Sequence, residues 1–230
     1  MKTLTTIDYF LGNKPTHSVI CLHGLGANNH DLKPIAQALA LPNVHFIFPQ
    51  APSIPITLYE GAVVPGWYDV RNRNFDTARS NIEQVDATCA AIKTLIANEQ
   101  AQYGIDSTRI FLMGFSQGGS IALELGLHSE QTYAGIVGLS TLPAKREQTF
   151  DHLSQANEKT PVFLAHGTHD PVVPFSIGEF IHQSLITRHY SVEWHVAETL
   201  HTIWPEEISA LRQWMQTIIL NKSPSRTEVV

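Results

Sequence analysis

Cysteine is scarce in this chain: Cys21 and Cys89 are the only two. Two thiols cannot build a disulfide scaffold, and their spacing makes no CxxC pair, so neither a zinc ribbon nor a thioredoxin-type motif arises. Both are expected to be reduced and buried. Charge is sparse as well. Asp, Glu, Lys and Arg make up 16% of the sequence, below the ~25% of an average soluble domain. That argues against a disordered chain, a coiled coil or a charged tail. The 15 basic and 21 acidic residues leave a net charge of −6, which gives no electrostatic ground for binding nucleic acid or an anionic membrane. No apolar run approaches the ~20 residues of a membrane span, and Met1 to Asp8 lack the apolar core of a signal peptide. The expectation is a cytoplasmic protein with no nucleic acid partner and no integral membrane association.

What is present is a regular alternation. The length, 230 residues, and the lack of any composition break fit one domain over residues 1–220 followed by a polar, flexible tail at 221–230. Short β-branched and aromatic runs at residues 19–22, 44–48, 109–115, 133–139, 161–165 and 191–196 predict strands, with a weaker edge strand at 3–11. Apolar positions at helical spacing predict helices over 31–41, 78–103, 117–128, 175–189 and 205–219. Gly104 suits the end of the second helix, and Pro205 followed by Glu206 and Glu207 suits the start of the last. Strands without polar alternation, separated by helices, imply an α/β fold with a mostly parallel central sheet covered on both faces. Residues 51–76 break this rhythm with Pro52, Pro55, Pro65, Tyr59, Trp67, Tyr68 and Phe75. A segment of that length reads as an irregular, lid-like functional loop, or as a connection whose aromatics pack on the core.

Chemistry is concentrated in Gly114-Phe115-Ser116-Gln117-Gly118-Gly119. A G-x-S-x-G pattern is weak alone, but here a strong strand ends at it and a helix begins. Such a turn needs small flanking residues and lifts the Ser116 hydroxyl out of the sheet. The plainer reading is a helix N-cap serine. A serine nucleophile requires a base and an orienting acid, which in this strand–helix context follow in the order Ser, Asp, His. Asp170 lies in the loop leaving the strand at 161–165, although an aspartate before proline is also a common turn. His201 lies in the loop after the last predicted strand, whereas His195 falls within that strand and His189 ends a helix. Backbone N–H groups of Leu25, in the loop His23-Gly24-Leu25-Gly26, and of Gln117 are expected to form an oxyanion hole. His166 and His169 sit in a Gly- and Pro-flanked loop rather than on a helix, so no metal site is expected and no cofactor is required.

These motifs together resemble the carboxylesterase and acyl-protein thioesterase family of small α/β-hydrolases. The resemblance rests on Leu22-His23-Gly24-Leu25-Gly26 with Asn29 and Asp31, Phe48-Pro49-Gln50-Ala51-Pro52, Trp67-Tyr68-Asp69, the Ser116 hexapeptide, and His166-Gly167 with Asp170-Pro171-Val172-Val173-Pro174. It implies an α/β-hydrolase fold with no large cap domain, a triad of Ser116, Asp170 and His201, and Trp67 lining an acyl pocket. It also implies substrates that are small acyl esters or thioesters, lysophospholipid-like esters or S-acylated proteins, and a homodimer. Leu200 departs from the pattern, which usually has glycine before the catalytic histidine. Two rival readings carry the same residues: an acyltransferase that passes the acyl group to another alcohol, and a hydrolase-fold binding protein whose site has decayed.

Overall fold

A computed structural model describes residues 4–72 and 80–221. Phe75, the predicted helical start at 78–79 and the tail at 222–230 lie outside the described residues. Seven strands form one sheet: β1 (Thr6–Phe10), β2 (His17–Leu22), β3 (Val44–Pro49), β6 (Ile110–Phe115), β7 (Gly135–Leu139), β8 (Val162–Gly167) and β9 (Val192–Ala197). Their spatial order is β1-β3-β2-β6-β7-β8-β9. Only β1, at one edge, runs antiparallel to its neighbour. Two further strands, β4 (Ser53–Ile56) and β5 (Ala62–Pro65), pair with each other in a separate antiparallel hairpin.

Five α-helices cover the sheet among the described residues: α1 (Lys33–Leu39), α2 (Ile82–Tyr103), α3 (Gln117–His128), α4 (Phe175–Ile186) and α5 (Pro205–Asn221). The central strands are buried along their length except at Phe115, the last residue of β6, so their alternate residues feed two cores rather than one core and solvent. Val19, Phe46, Phe111 and Phe163 pack towards α1 and α5 with Leu211 and Trp214. Ile20, Leu22 and Leu112 face α2 and α3 with Val85, Ile92 and Ile121. Ile136 and Leu164 continue that second face towards α4, against Ile181 and Leu185.

Two expectations need correction. The helix predicted from residue 78 begins at Ile82, because Asn81 caps it by accepting the Gln84 N–H at 3.2 Å. The segment 51–76 is not irregular throughout, since it carries the β4–β5 hairpin. Prolines argue against a central strand but are tolerated in an edge pair, and here Ser53 pairs with Pro65 and Pro55 with Val63.

Strand order also decides where a site forms. From β2 the chain passes through α1 to β3 on one side, and from β6 it passes through α3 to β7 on the other. The loops leaving β2 and β6 therefore diverge, opening a crevice at the carboxyl ends of adjacent strands.

Candidate active site

Ser116 stands in that crevice, on the turn between β6 and α3. Its backbone angles, φ 52° and ψ −119°, lie in a region that costs a non-glycine residue of order 1–3 kcal/mol. The surroundings impose it. The Ser116 N–H donates to the Leu139 carbonyl at 2.9 Å, and the Ser116 carbonyl accepts from the Thr141 hydroxyl at 2.8 Å. The flanking glycines are required by contact. A Cβ on Gly114 would lie 2.2 Å from the Gly118 carbonyl carbon, and one on Gly118 would lie 2.0 Å from the Leu22 carbonyl oxygen. α3 is buried from Gln117 to Leu127, so the element behind the turn cannot move away to relieve it.

The loop after β2 brings Leu25 to the same crevice. Its anchor is His23, a residue whose role the sequence pattern alone did not reveal. The buried imidazole accepts the Ala51 N–H at Nε2 (3.1 Å) and therefore donates from Nδ1 to the Gly24 carbonyl (2.8 Å). Burial holds its pKa below the ordinary histidine value, which keeps it neutral in this role. The Gly26 N–H closes the loop on the Pro65 carbonyl at 2.8 Å.

Gln117 borders the cleft, and its side chain ties the turn to the segment that follows the hairpin. Its Oε1 accepts the Trp67 N–H at 2.9 Å, and its Nε2 donates to the Tyr68 carbonyl at 2.7 Å. Trp67 itself is 1% exposed. Its indole N–H donates to the His23 carbonyl at 2.7 Å, and its own carbonyl accepts from the Thr88 hydroxyl at 2.6 Å. Trp67 is not among the residues that line the cleft, so the expectation of an acyl-pocket wall is corrected. The indole lies behind the His23 turn and holds it in place, because its polar N–H needs a buried partner.

Across the crevice, the loop after β9 carries His201 and the loop after β8 carries Asp170. His201 Nδ1 donates to Asp170 Oδ2 at 2.6 Å. The other carboxylate oxygen accepts the N–H groups of Val172 and Val173, both at 2.8 Å. His166 Nε2 donates to the Val173 carbonyl at 2.9 Å and lies 3.4 Å from Asp170 Oδ2. Burial alone would raise the Asp170 pKa, but the bonds from His166, His201, Val173 and Val172 outweigh it and hold the carboxyl well below the usual carboxylate range. The Phe115 ring packs against the His201 imidazole at 4.7 Å between centroids. His195 points elsewhere, bonded to Glu193 at 2.9 Å and stacked on Phe163.

Leu200 does not disturb this arrangement. Its side chain is 58% exposed, and its backbone is outside the left-handed region, so the position does not demand glycine. The close approach in this loop falls instead on Gly167, where a Cβ would meet the Thr199 and Leu200 carbonyl oxygens at 2.4 Å.

Leu25, Ser116, Gln117 and His201 thus border one cleft of about 830 Å³. Leu58, Tyr59, Tyr68 and Val70 form one apolar wall, and Leu32, Ile35 and Ile203 form another, with Asp31 as the one acidic residue of the lining among the described residues. Asp170 sits behind His201, buried by the turn that follows it. No group of three or more His, Cys, Asp or Glu side chains suited to a metal ion occurs among the described residues.

A mostly parallel sheet, helices on both faces, and a serine on a strained strand-to-helix elbow define the α/β-hydrolase class. Comparison with known proteins narrows it. The Phospholipase/Carboxylesterase family profile matches residues 11–219. The chain is 34% identical over 208 residues to acyl-protein thioesterase 1 of Yarrowia lipolytica, covering 87% of this chain and 91% of that one. It is 39% identical over 168 residues to acyl-protein thioesterase 1 of Cryptococcus neoformans, covering 71% and 70%. The crystal structure of Zea mays acyl-protein thioesterase 2 superimposes with a TM-score of 0.81 at 25% identity, covering 94% of this chain and 99% of that one. The chain belongs to the phospholipase/carboxylesterase family.

Proposed function

We propose that this protein is a serine hydrolase of carboxylic esters and thioesters, with Ser116 as nucleophile, His201 as general base and Asp170 as its orienting acid. One observation carries the reading. Ser116, on its strained elbow, opens onto the cleft that His201 borders, and the Nδ1 of His201 is fixed by a buried carboxylate. With Nδ1 committed to Asp170, Nε2 is the nitrogen left to take the serine proton. Ser116 attacks the acyl carbonyl, and the N–H groups of Leu25 and Gln117 stabilise the oxyanion. His201 then protonates the departing alcohol or thiol, and water repeats the sequence on the acyl-enzyme.

The apolar cleft walls suit an acyl chain of short to medium length, and the relatives named acyl-protein thioesterase support an S-acylated protein as one substrate class. No helix among the described residues is long and apolar enough to cross a membrane.

The test is hydrolysis of p-nitrophenyl esters from acetyl to dodecanoyl by wild type and Ser116→Ala, with fluorophosphonate labelling of both. Activity and labelling in the wild type that disappear in Ser116→Ala are expected. A wild type with neither would overturn the reading. Activity that survives in Ser116→Ala would overturn the assignment of the nucleophile.

A further inference from the structure

Three hydrogen bonds among the described residues join the exposed turn Thr57–Tyr59 to the segment beneath it, and two of them end on one carboxylate. Asp69 Oδ1 accepts the Thr57 N–H and Asp69 Oδ2 accepts the Thr57 hydroxyl, each at 2.7 Å. The third runs from the Leu58 N–H to the Val70 carbonyl at 2.8 Å. Asp69 is held in turn, since its N–H donates at 2.6 Å to the side chain of Gln84 in the first turn of α2. Four cleft-lining residues flank this clasp, namely Leu58 and Tyr59 on the turn and Tyr68 and Val70 on either side of Asp69. Among the described residues, the rest of the turn closes on itself, through Glu60 N–H to the Thr57 carbonyl and Gly61 N–H to the Ile56 carbonyl.

We propose that Asp69 is a positioning residue that fixes this wall, and that the wall reads the length of the acyl chain. The inference rests on the esterase reading above. The side of the cleft follows from the chemistry. A leaving group must receive its proton from His201, so it lies towards the Thr202 and Ile203 side. The Asp69 wall is tied instead to the elbow and the oxyanion loop: Gln117 binds the backbone of Trp67 and Tyr68, and Gly66 fits closely against the Leu25 side chain. The acyl chain therefore runs along Leu58, Tyr59, Tyr68 and Val70. Charge-assisted hydrogen bonds are the strong kind, and a half-exposed turn with Tyr59 43% exposed has little buried apolar surface of its own to hold its position.

The experiment compares kcat/KM for octanoyl and acetyl esters of one phenol, normalised by fluorophosphonate titration of active sites, in Asp69→Ala, Thr57→Val, Asp69→Asn and Thr57→Ser. Asp69→Ala removes both clasp bonds, and the octanoyl-to-acetyl ratio is expected to fall about tenfold; Thr57→Val removes one, and a fall of about threefold is expected. Thr57→Ser retains the wild-type ratio, because serine keeps the hydroxyl, and Asp69→Asn keeps most of it, because the amide oxygen still accepts the Thr57 N–H and the amide N–H donates to the hydroxyl oxygen, without the charge. Loss of folded enzyme lowers both substrates equally and leaves the ratio in place. An unchanged ratio in Asp69→Ala would overturn the proposal, as would a change confined to a series varying the leaving alcohol. A wild type inactive on both esters would instead remove the esterase reading on which it rests.

Discussion

Asp170→Asn is the substitution in which this geometry makes its sharpest claim. Asparagine has the shape of aspartate but only one acceptor oxygen. If that oxygen faces His201, the amide nitrogen must face the N–H groups of Val172 and Val173, which now lie at 2.8 Å from Asp170 Oδ1. Both donors would lose their acceptor, at about 1–3 kcal/mol for the buried Val173 N–H and less for the part-buried Val172 N–H. If the oxygen faces those two N–H groups, the amide nitrogen faces His201, which adapts by accepting at Nδ1 and carrying its proton on Nε2, while His166 loses its 3.4 Å contact with Oδ2 but keeps its bond to the Val173 carbonyl. The second arrangement wins, and it leaves Nε2 unable to accept the serine proton. A loss of kcat on the order of a thousandfold to ten-thousandfold is expected, about 4–5.5 kcal/mol of barrier, in a protein that still folds. The assay is steady-state ester hydrolysis with active-site titration, alongside NMR of the His201 imidazole protons, where the Nδ1 proton should vanish. The same substitution should alter acid stability. The folded-state pKa of Asp170 is depressed, so its contribution is present above the unfolded value of ~3.9 and is lost as pH falls through the lower folded value. Asp170→Asn should lack that acid-side loss. A variant that retains a tenth or more of wild-type kcat/KM, or that keeps the Nδ1 proton, would refute the reasoning.

Other expectations can be checked with the same protein. His201→Ala should lose nearly all kcat while His195→Ala, on β9 and bonded to Glu193, keeps it; equal activities would remove the assignment of His201. Gln117→Ala retains the backbone N–H but strands the buried Trp67 N–H and Tyr68 carbonyl, so a loss of about 2–4 kcal/mol is expected. Calorimetry should show a fall in Tm of roughly 5–15 °C, and an unchanged Tm would contradict the bracing role. His45 has its pKa raised; burial opposes the shift, but bonds to Glu99 at 2.6 Å and Asp8 at 3.4 Å outweigh it. The stability from this cluster is therefore fully present below the unfolded histidine value of ~6.5 and is lost as pH rises through the raised folded value. Urea titrations across that window should show the loss in wild type and a flatter profile in Glu99→Gln; parallel profiles would exclude the coupling.

The fold was legible because parallel strands in a covered sheet must be apolar runs, and helices between them must repeat at their own period. Ile110–Phe115 and Gln117–His128 are cases where local pattern and tertiary demand agree. The glycines around Ser116 were legible for a similar reason, since the close approach of α3 to β6 and β2 leaves no room for a Cβ. The β4–β5 hairpin was not, because its prolines carry the local signal of a loop and only its pairing as an isolated edge makes them acceptable.

The sequence by itself determined the order of the sheet strands and the helices, marked the elbow at Ser116, and singled out Asp170 and His201 as its proposed partners from among many carboxylates and 12 histidines. These depend on short-range spacing and on position after a strand. Tertiary structure alone decided that Trp67 lies behind the cleft, that His23 is a neutral anchor, and that the Leu200 side chain turns to solvent. Each of those outcomes rests on which buried donor meets which distant acceptor, and on which backbone angle a loop adopts. Residues 44 positions apart, such as His23 and Trp67, share no local pattern from which their contact could be read.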